Sequence, residues 1–335
     1  MNRRSLLGGA SLAATGALAV HETSRHRVPD RRRPMSRVAI LRCESYKRAA
    51  QVVWDGIQLL EPQVAGKHVL LKPNLVEYSP SASINTHPIV IAATADAFYS
   101  LGALKVLVGD GPGHVRDSEL VLEESGLRDA LRSVGRLRFI DLNFDRVRAV
   151  RTQTSLTNLK ELWLPQSVLA ADVVVSMPKV KTHHWAGVTL SLKNLFGVVP
   201  GSVYGWPKNI LHWQGIDNSI VELAATVPVH YVIADGIEAM EGNGPLHGPA
   251  RHLGCLVFAD DPVAADSACC SLMDVDPHCI RHLAKASSLG NLDPRRWELL
   301  GDRIASLRQT FQPPPMMTFA RVGSSTPEAR GRSAP

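Results

Sequence analysis

The sequence has few cysteines and, after its first residues, no long apolar segment. Five cysteines among 335 residues include no C-x-x-C pair, which argues against a disulfide framework, a zinc ribbon and an iron–sulfur cluster bound by the chain itself. Past residue 34, no apolar run approaches the roughly 20 residues that are needed to cross a bilayer. We therefore predict a protein body with neither a membrane span nor its own iron–sulfur cluster.

The body of the chain also lacks an excess of positive charge. The net charge is +6, but residues 1–34 contribute +5 and residues 321–335 contribute +2. Residues 35–320 are therefore close to neutral, at about −1. A nucleic-acid-binding domain carries clustered basic charge on its folded surface, so we predict that this protein does not bind nucleic acid.

The N-terminal residues have the features of an export signal. The pair Arg3-Arg4 precedes a stretch rich in Ala, Gly and Leu from Ser5 to Val20, which ends in a small-residue cleavage pattern. This order is typical of a twin-arginine signal. We predict that residues 1–34 are an export signal and basic linker, recognised by export machinery, and that the protein works in the periplasm or elsewhere outside the cytoplasm. If translation starts instead at Met35, the protein stays in the cytoplasm.

Apolar segments alternate between strand-like and helix-like patterns. Val173–Val175 is rich in β-branched residues, as buried strands are, and Ala49–Leu60 has helical spacing. The alternation predicts an α/β fold with a largely parallel open sheet flanked by helices, and a small antiparallel excursion near residues 147–164. We assign residues 35–310 to this domain and residues 311–335 to a disordered tail.

Polar side chains follow five of the predicted strands where each strand ends. Right-handed crossovers bring the carboxyl ends of parallel strands to one edge, where open α/β sheets bind ligands. We therefore expect one cleft there, covered by a long loop at residues 201–215. The residues expected in it are Lys72, Asn74, Asp110, Lys179, Lys181, His183, Asp235, Asp260 and Asp261.

One chemistry that fits these residue types uses a metal ion. Asp110, Asp235 and His183 supply the oxygen and nitrogen ligands that a divalent metal prefers. In this interpretation the lysines hold a small anionic substrate beside the metal.

The other chemistry needs no metal. Lys72, Lys179 and Lys181 would hold a phosphate or carboxylate, together with backbone amides of a glycine-rich turn that contains Gly111 and Gly113. A lysine desolvated in such a cleft has a lowered pKa and is suited to act as a base or to form a Schiff base. The spacing of the residues does not choose between the two chemistries.

Several motifs resemble those of the DUF362 family, whose members have no established reaction and are in some cases joined to ferredoxin-type iron–sulfur modules. The resemblance extends from about Val38 to Leu283 and rests on LLKPNLV, NTHP, VLVGDGPG, MPKVKTHHWAGVTLSLKNLFGVVPG, IADGIEAMEGNGPLHGP and DDPVAAD. It marks His87, Lys193, Asn194, Gly242 and Gly244 in addition to the strand-end residues. The sequence GDGPGH before an acidic helix is similar to part of the nickel-pincer lactate racemases.

These observations predict an exported enzyme that acts on a small anionic substrate, with an unknown cofactor or a divalent metal. We assign catalysis to Lys179, Lys181, His183 and Asp235, and cofactor binding to Lys72, Asn74, Gly111, Gly113, Lys193 and Asn194. Two alternatives remain open. The protein is a non-catalytic ligand- or metal-binding protein, or it is an accessory factor that docks on a redox partner protein.

Overall fold

The computed structural model describes residues 33–113 and 117–323. From Met35 onward these residues belong to one compact unit. The predicted export signal, except for its last two residues, lies outside the described residues, as do His114 and residues 324–335. Within the described part of the chain, no helix is long and apolar enough to cross a membrane.

The described residues form twelve strands and twelve helices, several of them only one turn long. The strands are β1 (Ser36–Arg42), β2 (His68–Pro73), β3 (Lys105–Asp110), β4 (Arg138–Asp141), β5 (Val147–Arg151), β6 (Glu161–Pro165), β7 (Val173–Met177), β8 (Lys179–His183), β9 (Gly187–Val188), β10 (Tyr231–Met240), β11 (Ala250–Ala259) and β12 (Trp297–Gly301). The helices are α1 (Ala49–Leu60), α2 (Pro88–Ser100), α3 (Ser118–Glu124), α4 (Leu127–Ser133), α5 (Gln166–Leu169), α6 (Leu190–Asn194), α7 (Gly201–Tyr204), α8 (Asn209–Trp213), α9 (Ile216–Thr226), α10 (Pro262–Leu272), α11 (Arg281–Lys285) and α12 (Ile304–Leu307).

Ten strands make the main sheet, in the order β12-β1-β11-β10-β7-β2-β3-β4, with β8 beside β10 and β9 beside β8. Eight of them run in one direction, and only β11 and β9 run against their neighbours. The separate ribbon β5–β6 is antiparallel. The predicted fold, a largely parallel sheet with an antiparallel excursion near residues 147–164, is confirmed.

Both faces of the sheet are covered by helices, which explains why its strands are almost continuously apolar. Successive residues along a strand point to opposite faces. In β1, Val38 and Ile40 belong to one hydrophobic cluster, with residues of α6, α9 and α10. Ala39 belongs to the other cluster, with residues of α1 and α2. The sheet edges and strand ends are therefore where polar side chains can gather.

Strand β11 is the main departure from the predicted topology. It follows β10 as the second arm of a hairpin, so its carboxyl end lies at the sheet edge opposite to the ends of β2 and β3. Asp261 caps α10 and accepts hydrogen bonds from the backbone N–H groups of Val263 and Ala264 at 2.8 and 3.2 Å. Asp260 accepts from the N–H of Arg37 at 2.9 Å. The expectation that Asp260 and Asp261 join the cleft is wrong, because a hairpin reverses the strand direction.

The folded body also extends beyond the predicted boundary at residue 310. Phe311 is fully buried and Phe319 is 8% exposed. The carbonyl of Gln312 accepts a hydrogen bond from Gly242 N–H at 2.9 Å, and that of Ala320 accepts from Asp276 N–H at 2.8 Å. Residues 311–323 thus pack on the domain rather than forming part of a disordered tail.

Candidate functional site

A cavity of about 380 Å³ lies at the carboxyl ends of β2, β3 and β8. Four lysines line it, namely Lys72, Lys181, Lys193 and Lys208, and we call it the lysine cavity. Asp110 is the one acidic side chain among the described residues that line it. Nine of the predicted site residues meet there: Lys72, Asn74, Asp110, Gly111, Gly113, Lys181, His183, Lys193 and Asn194.

Lys72 and Asp110 form a buried ion pair at the base of the cavity. Each side chain is 1% exposed, and Lys72 Nζ lies 2.7 Å from Asp110 Oδ1. Lys72 and Asp110 lie near the carboxyl ends of β2 and β3. These ends are close together because the two strands are adjacent and parallel. Burial lowers the pKa of Lys72, although the charge of Asp110 acts in the opposite direction.

Both oxygens of Asp110 and all three ammonium protons of Lys72 already have hydrogen-bond partners within the protein. The Asp110 carboxylate accepts from the N–H groups of Leu75 and Gly111 at 2.7 and 2.8 Å. Lys72 Nζ also donates to the Pro73 carbonyl at 2.6 Å and to Asn194 Oδ1 at 3.1 Å. An ammonium group has three donors, so Lys72 is saturated and serves as a fixed charge.

Gly197 permits the close packing against this pair. It lies in a 3-10 turn, Leu195–Val198, and its carbonyl accepts from Gly111 N–H at 2.9 Å. A Cβ atom at position 197 would overlap Asp110 Oδ1 and Lys72 Nζ. The last position of the motif LKNLFG therefore requires glycine, because the backbone there packs directly against the ion pair.

Lys181 and Lys208 are held by backbone carbonyls instead of carboxylates. Lys181 Nζ donates to the Ile84 carbonyl at 2.7 Å. Lys208 Nζ donates to the carbonyls of Gly111 and Phe196 at 2.7 and 2.9 Å. Burial is the largest cause that lowers both pKa values, that of Lys208 to about 7. Neither amine has a carboxylate partner among the described residues, so each carries a positive charge that is not neutralised there when it is protonated.

Lys193 differs from the other three lysines in its contacts. Its Nζ lies 3.8 Å from the centre of the Phe196 ring, and no described residue accepts a hydrogen bond from it. Burial, followed by the charge of Lys72, lowers the pKa of Lys193 to about 7. The amine is therefore partly neutral near physiological pH.

Helix α6, which carries Lys193, is held in place by Asp266 of α10. The Asp266 carboxylate accepts from the N–H groups of Ser191 and Leu192 at 2.6 and 2.9 Å. Burial raises the pKa of Asp266 to about 8. Leu190, the first residue of the helix, has a φ of 48°, which is costly for a side chain with a Cβ. The hydrogen bonds to Asp266 thus hold the strained backbone at the start of α6 in place.

His183 presents one defined ring nitrogen to a ligand. Its Nδ1 accepts from the backbone N–H groups of Trp185 and Ala186 at 3.1 and 3.3 Å. Burial, and next the charge of Lys193, hold the pKa of His183 well below its ordinary value. The ring is therefore neutral with its proton on Nε2, which makes it a hydrogen-bond donor in the cavity wall.

Two other polar atoms of the cavity wall have no hydrogen-bond partner in the described part of the chain. They are Asn74 Oδ1 and Thr189 Oγ1, and their residues are 7% and 4% exposed. Buried polar atoms normally have a partner, and an exception calls for an explanation such as a ligand or water. Both atoms lie where a molecule in the cavity could satisfy them.

Lys179 and Asp235, which we predicted to act in the same cleft, lie in a different cluster. Lys179 Nζ lies 2.8 Å from Asp235 Oδ2 and 2.7 Å from the Tyr46 hydroxyl oxygen. The Tyr46 ring stacks on His87 at 3.7 Å. We call Tyr46, His87, Lys179 and Asp235 the Tyr46 cluster. Three of them, Tyr46, His87 and Lys179, line a second cavity of about 340 Å³.

The pairing of β8 with β10 is irregular between the Tyr46 cluster and the lysine cavity. Strand β8 faces β10 at Lys179–Asp235 and again at Lys181–Met240. Two steps along β8 therefore correspond to five along β10, so Lys181 has Met240 opposite it, while Asp235 faces Lys179. Asp235 also lies within β10 and not at its end, as the strand continues to Met240.

The three predicted metal ligands are divided between these places. Asp235 belongs to the Tyr46 cluster, whereas Asp110 and His183 line the lysine cavity. Across residues 33–113 and 117–323, no group of three or more His, Cys, Asp or Glu side chains is placed to hold a metal ion. The three residues predicted to bind a metal therefore do not meet at one place in the described structure.

Some residues of the site were not predicted from the sequence. Lys208 lies in the segment 201–215, expected as a loop over the site, which instead forms α7 and α8. The sequence indicated Lys208 only through its place in a segment that was expected to cover the site. Thr189 and Gly197 lie within a recognised motif but were not singled out. Tyr46 had no signal, because it reaches Asp235 from a different part of the chain.

Comparison with protein families and with curated proteins gives two matches. The family model described as "Domain of unknown function (DUF362)" matches residues 69–271. A thylakoid-associated protein of Synechocystis sp. is 33% identical over 278 residues, which cover 78% of this chain and 82% of that protein.

Among solved structures, similarity is limited. The lactate racemase apoprotein from Thermoanaerobacterium thermosaccharolyticum has a TM-score of 0.40 at 12% identity and matches 66% of this chain. A protein from Thermotoga maritima has a TM-score of 0.36, also at 12% identity, and matches 64%. This chain spans 54% and 56% of those two chains.

Proposed function

This chain belongs to the family described as "Domain of unknown function (DUF362)", and we propose that it is an enzyme that binds and converts a small anionic ligand in the lysine cavity. One observation carries the proposal. Four buried or half-buried amines line a single cavity, and its one carboxylate, Asp110, is already matched by Lys72 and two backbone amides.

The charge balance of the cavity favours an anion as the ligand. Buried cations are costly unless they are paired, and Lys181, Lys193 and Lys208 have no carboxylate partner in the described structure. An anion would supply the missing charge and raise the pKa of each amine. The volume is within the range of small-molecule sites, about 300–1,000 Å³. A ligand with one carboxylate or phosphate group fits these features.

The same cavity offers groups that suit proton transfer. An efficient general acid or base has a pKa near the working pH, and that of Lys193 is lowered to about 7. His183 supplies a neutral ring with a donor at Nε2. We therefore assign proton transfer to Lys193, hydrogen-bond donation to the ligand to His183, and anion binding to Lys181 and Lys208, with Lys72 as a fixed charge.

Binding of inorganic phosphate and of small carboxylates, measured by isothermal titration calorimetry in buffers of different ionisation enthalpy, tests this proposal. The complex should take up protons near pH 7, because an anion favours the charged amines. Binding should weaken as the pH rises above about 7, where Lys193 and Lys208 lose their protons. Lys193→Met should reduce both affinity and proton uptake.

Lys105→Met is the matched control, because Lys105 is exposed at the start of β3, and it should bind as the wild type does. The ligand-free protein should become more stable as the pH rises from about 7 towards 10.5, since the folded-state pKa of each buried lysine lies below its unfolded value. Absence of binding by every anion in the series would contradict the proposal. Binding without any conversion would favour the binding-protein alternative.

We further propose that residues 1–34 export the protein by the twin-arginine route. The order of features in that segment supports this, as does a relative named for its association with thylakoids. In a bacterium that has this pathway, the full chain should appear in the periplasmic fraction. Replacing Arg3 and Arg4 together with lysine should retain it in the cytoplasm. Equal fractionation of the two forms would contradict export by this route.

A further inference from the structure

We propose that Lys193 is a nucleophile that forms a Schiff base with a small carbonyl compound that also carries a carboxylate or phosphate group. The inference rests on the proposed function, because it takes the lysine cavity as the binding site of an anion. It adds the chemical class of the substrate and a covalent step.

Lys193 is the lysine of the cavity whose amine is not engaged by an acceptor. Lys72 Nζ has three acceptors within 3.1 Å, Lys208 Nζ has two and Lys181 Nζ has one. Lys193 Nζ lies over the face of the Phe196 ring, and no acceptor among the described residues is within hydrogen-bond distance of it. A nucleophilic amine needs an available lone pair and freedom to approach a carbonyl carbon, and Lys193 meets both conditions.

The environment of Lys193 favours the neutral amine that this reaction requires. Its helix is fixed by Asp266, its side chain lies against an apolar ring, and Lys72 adds a nearby positive charge. Desolvation and a neighbouring cation are the two usual means by which proteins activate a lysine for carbonyl chemistry. Both act on Lys193.

The remaining amines have donors left for the anionic group of the substrate. An ammonium group offers three donors. Lys181 uses one of them on the Ile84 carbonyl, and Lys208 uses two on Gly111 and Phe196. Lys181 thus retains two donors and Lys208 retains one, whereas Lys72 retains none. A carboxylate or phosphate held by Lys181 and Lys208 would place its attached carbonyl within the same cavity as Lys193.

The covalent step is balanced with groups that the cavity contains. The nitrogen of Lys193 attacks the carbonyl carbon, a C–N bond forms, and a proton passes from nitrogen to the former carbonyl oxygen. That oxygen then leaves as water after a second proton reaches it, and the C=N bond forms. The second proton comes from the ammonium group of Lys208, whose pKa is lowered to about 7 and which is left as a neutral amine. His183 can donate a hydrogen bond from Nε2–H, and Thr189 Oγ1 and Asn74 Oδ1 are available to bind the departing water.

Reductive trapping tests the inference on the full chain. The protein is incubated with sodium cyanoborohydride and either pyruvate or dihydroxyacetone phosphate, which distinguish a carboxylate from a phosphate as the anionic group. We expect one reduced adduct per chain by intact-mass spectrometry, located at Lys193 after digestion. Lys193→Met and Lys193→Arg should both lose the adduct, and Lys105→Met should keep it.

Lys193→Arg controls for misfolding as the cause of a lost adduct. Arginine retains a positive charge that can bind an anion, but it forms no Schiff base. Lactate and inorganic phosphate, which carry the anionic group without a carbonyl, test the proposed function alone. If these bind but neither carbonyl compound is trapped at Lys193, the inference fails and the proposed function stands. If neither binds and nothing is trapped, both fail. An adduct at another lysine also overturns the inference.

Discussion

Gly197→Ala is expected to destabilise the protein by about 3 kcal/mol or more, the range seen when a buried ion pair is broken. A Cβ atom at this position overlaps Asp110 Oδ1 and Lys72 Nζ. Neither group can move away without giving up other bonds, because Asp110 accepts from two backbone amides and Lys72 donates to Pro73 and Asn194. The loss should appear as a lower free energy of unfolding in urea.

Gly113→Ala is the matched control for this change. Gly113 also lines the lysine cavity, but a Cβ atom there meets no atom of the described residues within 4 Å, and its φ is not in the left-handed region. The control should unfold within about 0.5 kcal/mol of the wild type, as surface substitutions usually do. If Gly197→Ala unfolds like the control, the close packing of the turn on the ion pair is not important for stability.

Asp235→Leu is expected to cost about 3–5 kcal/mol, because it leaves the Lys179 charge buried without its carboxylate. Asp235 accepts from Lys179, from the Tyr46 hydroxyl, and from the backbone N–H groups of His87 and Ile237. The double variant Lys179→Met with Asp235→Leu should be more stable than Asp235→Leu alone, since it removes the unpaired charge. Two backbone N–H groups remain without an acceptor, so recovery should be incomplete.

The same variants separate the Tyr46 cluster from the lysine cavity. The double variant should bind phosphate with an affinity close to that of the wild type at a temperature where both are folded. Lys181→Met, by contrast, should weaken the binding of phosphate. A strong loss of phosphate binding in the double variant would show that Lys179 and Asp235 contribute to the cavity after all, as the sequence first suggested.

The lysine cavity could be predicted in outline because its base follows from strand direction. Lys72 and Asp110 end two neighbouring parallel strands, and apolar runs followed by polar residues are visible in the sequence. The capping of α2 was also predictable, as His87 accepts from the N–H of Ile89 and Pro88 begins the helix. These features depend on local sequence and on the general topology of parallel sheets.

The other features depend on contacts between distant segments, for which a single sequence carries no signal. Nothing local distinguishes a hairpin from a crossover after β10, so Asp261 was placed at the wrong edge. Lys179 and Lys181 are two residues apart and were expected to act together. The family motif marked Lys193, but its surroundings depend on the packing of α6 against Asp266, which brings Lys193 into the cavity wall.

The uneven pairing of β8 with β10 has a consequence for how this sequence can change in length. Because five steps along β10 correspond to two along β8, the stretch between Asp235 and Met240 holds three more residues than a regular pairing would. Deleting residues there would shift the residues of β10 after Asp235 relative to β8, so that Met240 would no longer lie opposite Lys181. Relatives should therefore vary in residue type along this stretch much more readily than in the number of residues.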